Sequence, residues 1–173
     1  VSTIFLTRGF IFATWISRGP EVKDLLRLNN AQMGFYTALT AIGGLILIMY
    51  SGLITARFGS RRVSIFSFSV IGISFLLLAI SIQTHQVVFA SIFLFFFGAP
   101  IAMIDFTGNL EANALNQQSA KSRMQSIHSA YSVGMLLGSG LSSALIGIGT
   151  PLAVHFIFTA IIMGSSAVFA SSQ

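Results

Sequence analysis

Residues that could carry a proton or bind a solute lie inside long apolar stretches of this sequence. Asp105 and Asn109 are four positions apart, a spacing that puts both on one face of a helix. That face carries the small or polar residues Gly98, Ala102, Asp105, Asn109, Ala112 and Asn116. An ionised carboxylate in hydrocarbon costs at least about 2.5–3.5 kcal/mol, so we expect this face to look into a cavity or against protein. Because burial favours the neutral form of a carboxyl group, Asp105 is a candidate proton carrier. The alternative is a structural hydrogen-bonding role.

His128 and Arg8 are further ionisable residues expected within the apolar stretches. At 1.5 Å per residue, His128 lies about 6 Å inside one end of its stretch, and Asp105 reaches a similar depth on an antiparallel neighbour. A hydrogen-bonded or proton-sharing pair of Asp105 and His128 is therefore allowed by geometry, with a purely packing histidine as the alternative. Arg8 lies about 12 Å inside the opposite boundary, where it suits an anionic substrate group or a carboxylate partner. If its helix begins near Arg8, the residue is interfacial instead.

Structural roles are predicted for further residues around this set. Small residues recur at steps of four after His128 and predict a face on which another helix packs closely. They are Ala130, Gly134, Gly138 and Ser142. Glu111 lies on a different face from Asn109, and we predict a salt bridge from it to Arg57, Arg61 or Arg62. His155 is interpreted as structural, since no other polar residue accompanies it.

The elements that position these residues are predicted to be membrane-spanning helices. Of the 173 residues, 54% are hydrophobic and 8% are charged, whereas a soluble domain has roughly 25% charged residues. A span needs about 20 apolar residues. That length predicts an all-α integral membrane protein with six spans, at residues 2–16, 31–55, 63–82, 87–113, 124–148 and 151–171. Trp15 is interpreted as an interfacial anchor, and residues 17–30 as a long loop with a short amphipathic helix over residues 21–28.

Charge and cysteine content limit the classes of partner that the protein could bind and indicate its orientation in the membrane. The net charge of +5 comes from short clusters between apolar runs, which indicates membrane topology and argues against a nucleic-acid partner. The loops on one side of the membrane contain five basic residues, and those on the other side contain three. Because the more basic side is usually cytoplasmic, both termini are predicted to be cytoplasmic. The five are Arg57, Arg61, Arg62, Lys121 and Arg123; the three are Arg18, Lys23 and Arg27. Because the chain has no cysteine, disulfides and thiolate sites are excluded. We predict no cofactor and no metal site.

The segment of residues 52–63 joins the second and third spans and carries the sharpest local motif. Gly59 permits the positive φ angle of a tight turn, and the arginines suit the headgroup level. The spacing resembles G-x-x-x-D-R-x-G-R-R, the loop motif of the major facilitator superfamily. The matching residues are Gly52, Arg57, Gly59, Arg61 and Arg62, while the acidic position holds Ala56. An ordinary positively charged loop is the alternative.

Two further motifs narrow the resemblance to one branch of the superfamily. They are Asp105-x-x-x-Asn109-x-Glu111 and the run from His128 through Gly138. These are similar to the fucose-permease-like branch of that superfamily. The resemblance implies that residues 1–173 are the first six of twelve helices, arranged as two inverted three-helix repeats, with a clipped first helix and a missing carboxy-terminal half. It also implies a multi-pass protein of the inner or plasma membrane that moves a sugar or similar small solute with protons, Asp105 taking part in the coupling.

Other functions remain open at this point. Proton-coupled efflux by antiport differs from symport only in the direction of coupling. A passive channel or structural membrane subunit would lack coupling, and no pore signature indicates one. An intramembrane serine protease would pair Ser139 or Ser142 with His155. That pairing needs a nucleophile within reach of its base and an oxyanion site, and Ser142 lies deep in its span. We therefore expect no enzyme activity and no catalytic residue.

Overall fold

The computed structural model describes residues 2–117 and 124–172, and this part of the chain is helical throughout apart from short turns. Its helices are α1 (Ser2–Leu25), α2 (Asn30–Ile48), α3 (Ser51–Phe58), α4 (Ser60–Gln83), α5 (Val87–Gln117), α6 (Met124–Gly147) and α7 (Leu152–Ser172). The fold is thus all-α, as predicted. Lys121 and Arg123 lie outside the described residues, so the predicted orientation of the termini stays a prediction.

The first helix is longer than its predicted span. Helix α1 continues nine residues past Ile16 to Leu25 and contains Pro20. The predicted loop is therefore wrong for residues 17–20, and the helix predicted over residues 21–28 is instead the continuation of α1 as far as Leu25. The helix continues because Val22, and Leu26 just beyond its end, are buried in the main apolar core, and because charged residues of this segment find partners described below. Arg27 then turns the chain with φ of 53°.

Trp15 is a core residue and not an interfacial anchor. Its side chain is 3% exposed, and its ring lies 6.3 Å from that of Phe97 and 6.5 Å from that of Phe156, between ring centroids. Phe75 makes edge-to-face contacts with both phenylalanines at 5.1 and 5.0 Å. These four aromatic side chains join α1, α4, α5 and α7 in one core. The position of Trp15 near the end of an apolar stretch does not show that it belongs to this core.

The second predicted span is divided into two helices. Helix α2 ends at Ile48 and α3 begins at Ser51, and the Ser51 hydroxyl donates a hydrogen bond of 2.6 Å to the Ile48 carbonyl. Gly59 then separates α3 from α4 with φ of 80°. A capping box precedes α2, with Asn29 and Gln32 each accepting a hydrogen bond from the other's backbone amide.

Close glycine contacts determine how the helices pair. Helix α1 packs mainly on α6, α2 on α5, and α4 on both α5 and α7. A Cβ atom added to Gly98 of α5 would overlap the carbonyl of Thr40 in α2, and one added to Gly134 of α6 would overlap the carbonyl of Leu6 in α1. Both pairs of helices therefore approach until backbone meets backbone, as small-residue interfaces in membranes allow.

The outer surface of the bundle is suited to lipid. Large apolar side chains such as Leu45, Phe66 and Leu136 are 67–74% exposed. Four described helices are long and apolar enough to cross a membrane: α2, α4, α5 and residues His128–Gly147 of α6. Helix α7 is apolar over the shorter stretch Leu152–Val168. The molecule is a helical membrane bundle, and a count of six spans stays a prediction.

Candidate functional site

An ion pair joins two of the intramembrane residues singled out in the sequence. Nε of Arg8 in α1 contacts Oδ1 of Asp105 in α5. The two side chains are 28% and 23% exposed, so the pair is neither sealed in the core nor fully on the surface. Of the partners considered for Arg8, the structure therefore supplies a carboxylate of the same chain.

The aromatic ring of Tyr131 holds the other side of the Arg8 guanidinium. Cζ of Arg8 lies 4.7 Å from the centroid of the Tyr131 ring in α6, within the range of a cation–π contact. The close approach of the helices positions this contact, because a Cβ atom on Gly9 would overlap the Tyr131 carbonyl. Arg8 is thus fixed between a carboxylate of α5 and an aromatic face of α6.

His128 lies beside this cluster, one turn before Tyr131. Its ring makes an edge contact with Phe5 of α1, with 5.0 Å between centroids and 70° between planes, and it is close enough to interact electrostatically with Asp105. Since Asp105 takes Arg8 as its ion-pair partner, the direct pair of Asp105 and His128 stays a prediction.

Asn109 makes a local hydrogen bond on its own helix. Its Nδ2 donates to the backbone carbonyl of Asp105 at 2.8 Å, and its side chain is exposed. Gly108 beside it faces α1, where an added Cβ would come within 3.2 Å of the Phe5 ring. This part of α5 therefore has a small residue against α1 and an exposed amide directed along the helix.

The small residues predicted to form a packing face on α6 lie against or near α1. Gly134 and Gly138 are buried, and a Cβ on Gly138 would lie 2.9 Å from Cβ of Ala13. Ala130 packs beside the small cluster that Phe5 belongs to. Ser142 is fully buried, and within the described chain its hydroxyl has no hydrogen-bond partner.

The residues of the arginine loop lie at the ends of α3 and α4. Gly52 is in the first turn of α3, where an added Cβ would be 3.9 Å from the Phe106 ring. The Arg57 guanidinium lies over the Phe58 ring, 5.4 Å from its centroid. Arg61 and Arg62 follow the Gly59 turn in the first turn of α4, and both side chains are exposed. Glu111 is partly buried on α5, and its salt bridge to one of these arginines stays a prediction.

A second polar cluster was not anticipated from the sequence. Arg18, assigned above to a loop, is 2% exposed. Its Nε donates to Nδ1 of His155 at 3.0 Å, its Nη2 donates to the Thr150 carbonyl at 2.9 Å, and its Nη1 pairs with Glu21. The prediction that His155 has no polar companion is therefore wrong. The i, i+3 spacing of Arg18 and Glu21 is visible in the sequence, but the contact to α7 spans 137 positions.

The Arg18 cluster closes one end of the bundle. Arg18 connects α1 to α7 through His155 and to the turn before α7 through the Thr150 carbonyl. Within α1 it also pairs with Glu21, so three donor groups of the buried guanidinium are used. Because Nδ1 of His155 accepts, the neutral ring carries its proton on Nε2. Among the described residues, no group of three or more His, Asp or Glu side chains could hold a metal ion.

Comparison with known proteins finds similarity to bacterial membrane proteins. The chain is 28% identical over 159 residues to an uncharacterized MFS-type transporter of Yersinia pestis, which covers 92% of the chain and 41% of that protein. It is 29% identical over 165 residues to the uncharacterized transporter y4wD of Sinorhizobium fredii, covering 95% and 43%. It is 31% identical over 134 residues to the membrane protein MosC of Rhizobium meliloti, covering 78% and 32%.

The chain thus spans less than half the length of the curated relatives it matches. No family model matches it, and no solved structure does. The relatives and the apolar helices together identify a multi-pass membrane protein, and two of the relatives are named as transporters.

Proposed function

We propose that this chain is the amino-terminal half-bundle of a major facilitator superfamily transporter, which moves a small solute across the cell membrane by alternating access coupled to protons. The names and lengths of the relatives support the family, since the chain covers 41–43% of two proteins named as transporters. The Gly59 turn with its three arginines and the paired packing of α1 on α6 and α2 on α5 agree with it.

The observation that carries the proposal is the partly exposed ion pair of Arg8 and Asp105. Ionisable residues inside a membrane bundle are costly and mark pathways for ions or substrates. Protonation of Asp105 removes one charge of the pair and leaves Arg8 with only the Tyr131 ring as a described partner. The bound proton thereby changes how α5 is held to α1, which is the link that coupled transport requires.

A second bundle would complete the molecule. In the most apolar stretch of α2, 11% of the residues are buried within the described structure. The corresponding share is 17% in α6 and 56% in α4. In this class of transporter the solute is held near the midplane between two six-helix halves, which rock about that site. The weakly covered helices α2 and α6 are available to meet such a partner half, and the chain alone is not expected to transport.

A sugar or sugar-like solute is the substrate class that follows from the resemblance to the fucose-permease-like branch. Carboxylate, amide and guanidinium groups at one site offer both donors and acceptors for sugar hydroxyl groups. Uptake by symport is the form that we propose, and efflux by antiport is the alternative. The two predict opposite proton movements when solute is added on the outside.

The test uses the full-length protein, with both halves, in vesicles that contain a pH-sensitive dye. A panel of monosaccharides is first screened by thermal shift, and those that stabilise the protein are added to the vesicles. Symport predicts that protons enter with the sugar and that an imposed proton gradient drives accumulation. Asp105→Asn should abolish accumulation and keep exchange of labelled sugar, while the control Asp24→Asn, an exposed acid after the apolar part of α1, should behave as wild type. Unchanged accumulation in Asp105→Asn over the whole pH range would contradict the assignment.

A further inference from the structure

An apolar groove lies on the bundle away from the Arg8–Asp105 pair. It has a volume of about 670 Å³ and runs between α2, α3, α4 and α5, with walls that are almost entirely hydrophobic. Ile46, Ile54 and Val70 are among its lining residues, and none of the residues of the ion-pair cluster takes part. Phe66 and Phe96 at its edges are 70% and 53% exposed, so the groove opens outward.

The length of the groove along the helices is similar to the thickness of the hydrocarbon layer of one bilayer leaflet. Along α4 its lining extends from Arg62 to Val70, and along α5 from Phe95 to Met103. Eight residues of helix rise about 12 Å, compared with about 15 Å for half of a hydrocarbon core. An extended hydrocarbon chain entering at the Arg62 end would therefore stay within the leaflet that begins at the arginine loop.

The mouth of the groove is positively charged. Arg62 lines it directly, and Arg57 lies over the ring of Phe58, another lining residue. No acidic residue occurs between Asp24 and Asp105, so α2, α3 and α4 contain none. Where the resembling loop motif has an acid, this chain has Ala56. The loop thus contributes positive charge without a carboxylate of its own.

We propose that this groove binds one acyl chain of an anionic phospholipid, with the phosphate held at Arg62. The apolar walls take the chain, and the arginines select the headgroup, since a basic residue at the membrane surface favours anionic lipid. The occupant comes from the bilayer because the groove opens outward on a surface of exposed apolar side chains. The site does not depend on transport activity.

The test is native mass spectrometry of the full-length protein released from vesicles of equal parts phosphatidylglycerol and phosphatidylethanolamine. Wild type should retain phosphatidylglycerol about fivefold over phosphatidylethanolamine. Arg62→Gln should reduce that ratio about fivefold, and Arg62→Lys should largely keep it. The matched control Arg27→Gln, an exposed cation in the turn after α1, should leave the ratio unchanged.

A second pair of variants tests the groove itself. Val70→Phe fills it and should lower the retention of both lipids, whereas Ile73→Phe, on the exposed surface of the same helix, should not. A wild-type ratio near one, or a ratio unaffected by Arg62→Gln, would overturn the headgroup contact. If Val70→Phe leaves the retention of both lipids unchanged, the acyl chain does not bind in the groove. The same result is expected if the other half of the protein covers the groove, and it would equally overturn the proposal.

Discussion

Replacing Arg8 with Gln should destabilise the bundle mainly by leaving Asp105 without its ion-pair partner. Removing one member of a fully buried pair costs about 3–5 kcal/mol, and an exposed pair contributes about 0–1 kcal/mol. With side chains 28% and 23% exposed, the Arg8–Asp105 pair lies between these cases. We expect a loss of about 2 kcal/mol in the free energy of unfolding for Arg8→Gln, and a similar loss for Asp105→Asn.

The double variant separates the pair from the two side chains. Because much of the cost of each single change is the unpaired charge that it leaves behind, Arg8→Gln with Asp105→Asn should lose about 2 kcal/mol, and not the sum of about 4 kcal/mol. A double-mutant cycle then gives a coupling free energy of about 2 kcal/mol. The measurement is SDS-induced unfolding in mixed micelles, with Arg27→Gln as the control for loss of a positive charge. Additive single effects, with a coupling below about 0.5 kcal/mol, would refute the argument.

Two further predictions concern packing and the second polar cluster. Gly98→Ala should cost about 1–3 kcal/mol of unfolding free energy in the same assay, because its Cβ would overlap the Thr40 carbonyl. Gly164→Ala, with open space at the new Cβ, should be neutral or slightly stabilising, and equal effects of the two would contradict the close contact of α2 and α5. His155→Leu should cost about 1–3 kcal/mol, since Nε of the buried Arg18 loses its acceptor. The control for this change is Gln83→Leu, a polar-to-leucine change at an exposed position of α4, and a His155→Leu protein as stable as wild type would show that another group satisfies Arg18.

The position and length of the apolar runs were sufficient to predict most of the helices. The predicted spans over residues 63–82, 87–113, 124–148 and 151–171 each correspond to one helix with ends shifted by a few residues. Each of these runs is long and carries few charged residues, so one local property of the sequence determines where the helix lies. The capping box at Asn29 is also a local motif, which needs only two side chains three positions apart.

The first helix could not be delimited in this way, because its end depends on tertiary partners. Arg18 and Glu21 are typical of a loop on composition, and α1 continues through them since Arg18 finds His155 and the Thr150 carbonyl. Trp15 lies near the end of the apolar run but is buried against Phe97 and Phe156. In both cases the residue that makes the contact is more than 80 positions away in the sequence. Rules based on local residue spacing do not predict such contacts.

The candidate site was partly visible in the sequence. Arg8, Asp105 and His128 were recognisable as intramembrane ionisable residues from their types and surroundings alone. Depth along antiparallel helices allows a pair of Asp105 and His128, but depth does not specify which helices face each other. The contact of α1 with α6 through Gly9 and Gly134 brings Arg8 to Tyr131, and from there the guanidinium reaches Asp105.

We propose that Asp105 loses its ion pair with Arg8 when it takes up a proton and regains the pair when it releases that proton. Infrared difference spectroscopy of the full-length protein in lipid, recorded as the pH is lowered, detects the C=O stretch of each carboxyl group that becomes protonated. If Asp105 carries the proton, the wild type shows a band that is absent from Asp105→Asn and whose pH dependence is altered by Arg8→Gln. Identical difference spectra for the wild type and Asp105→Asn would contradict it.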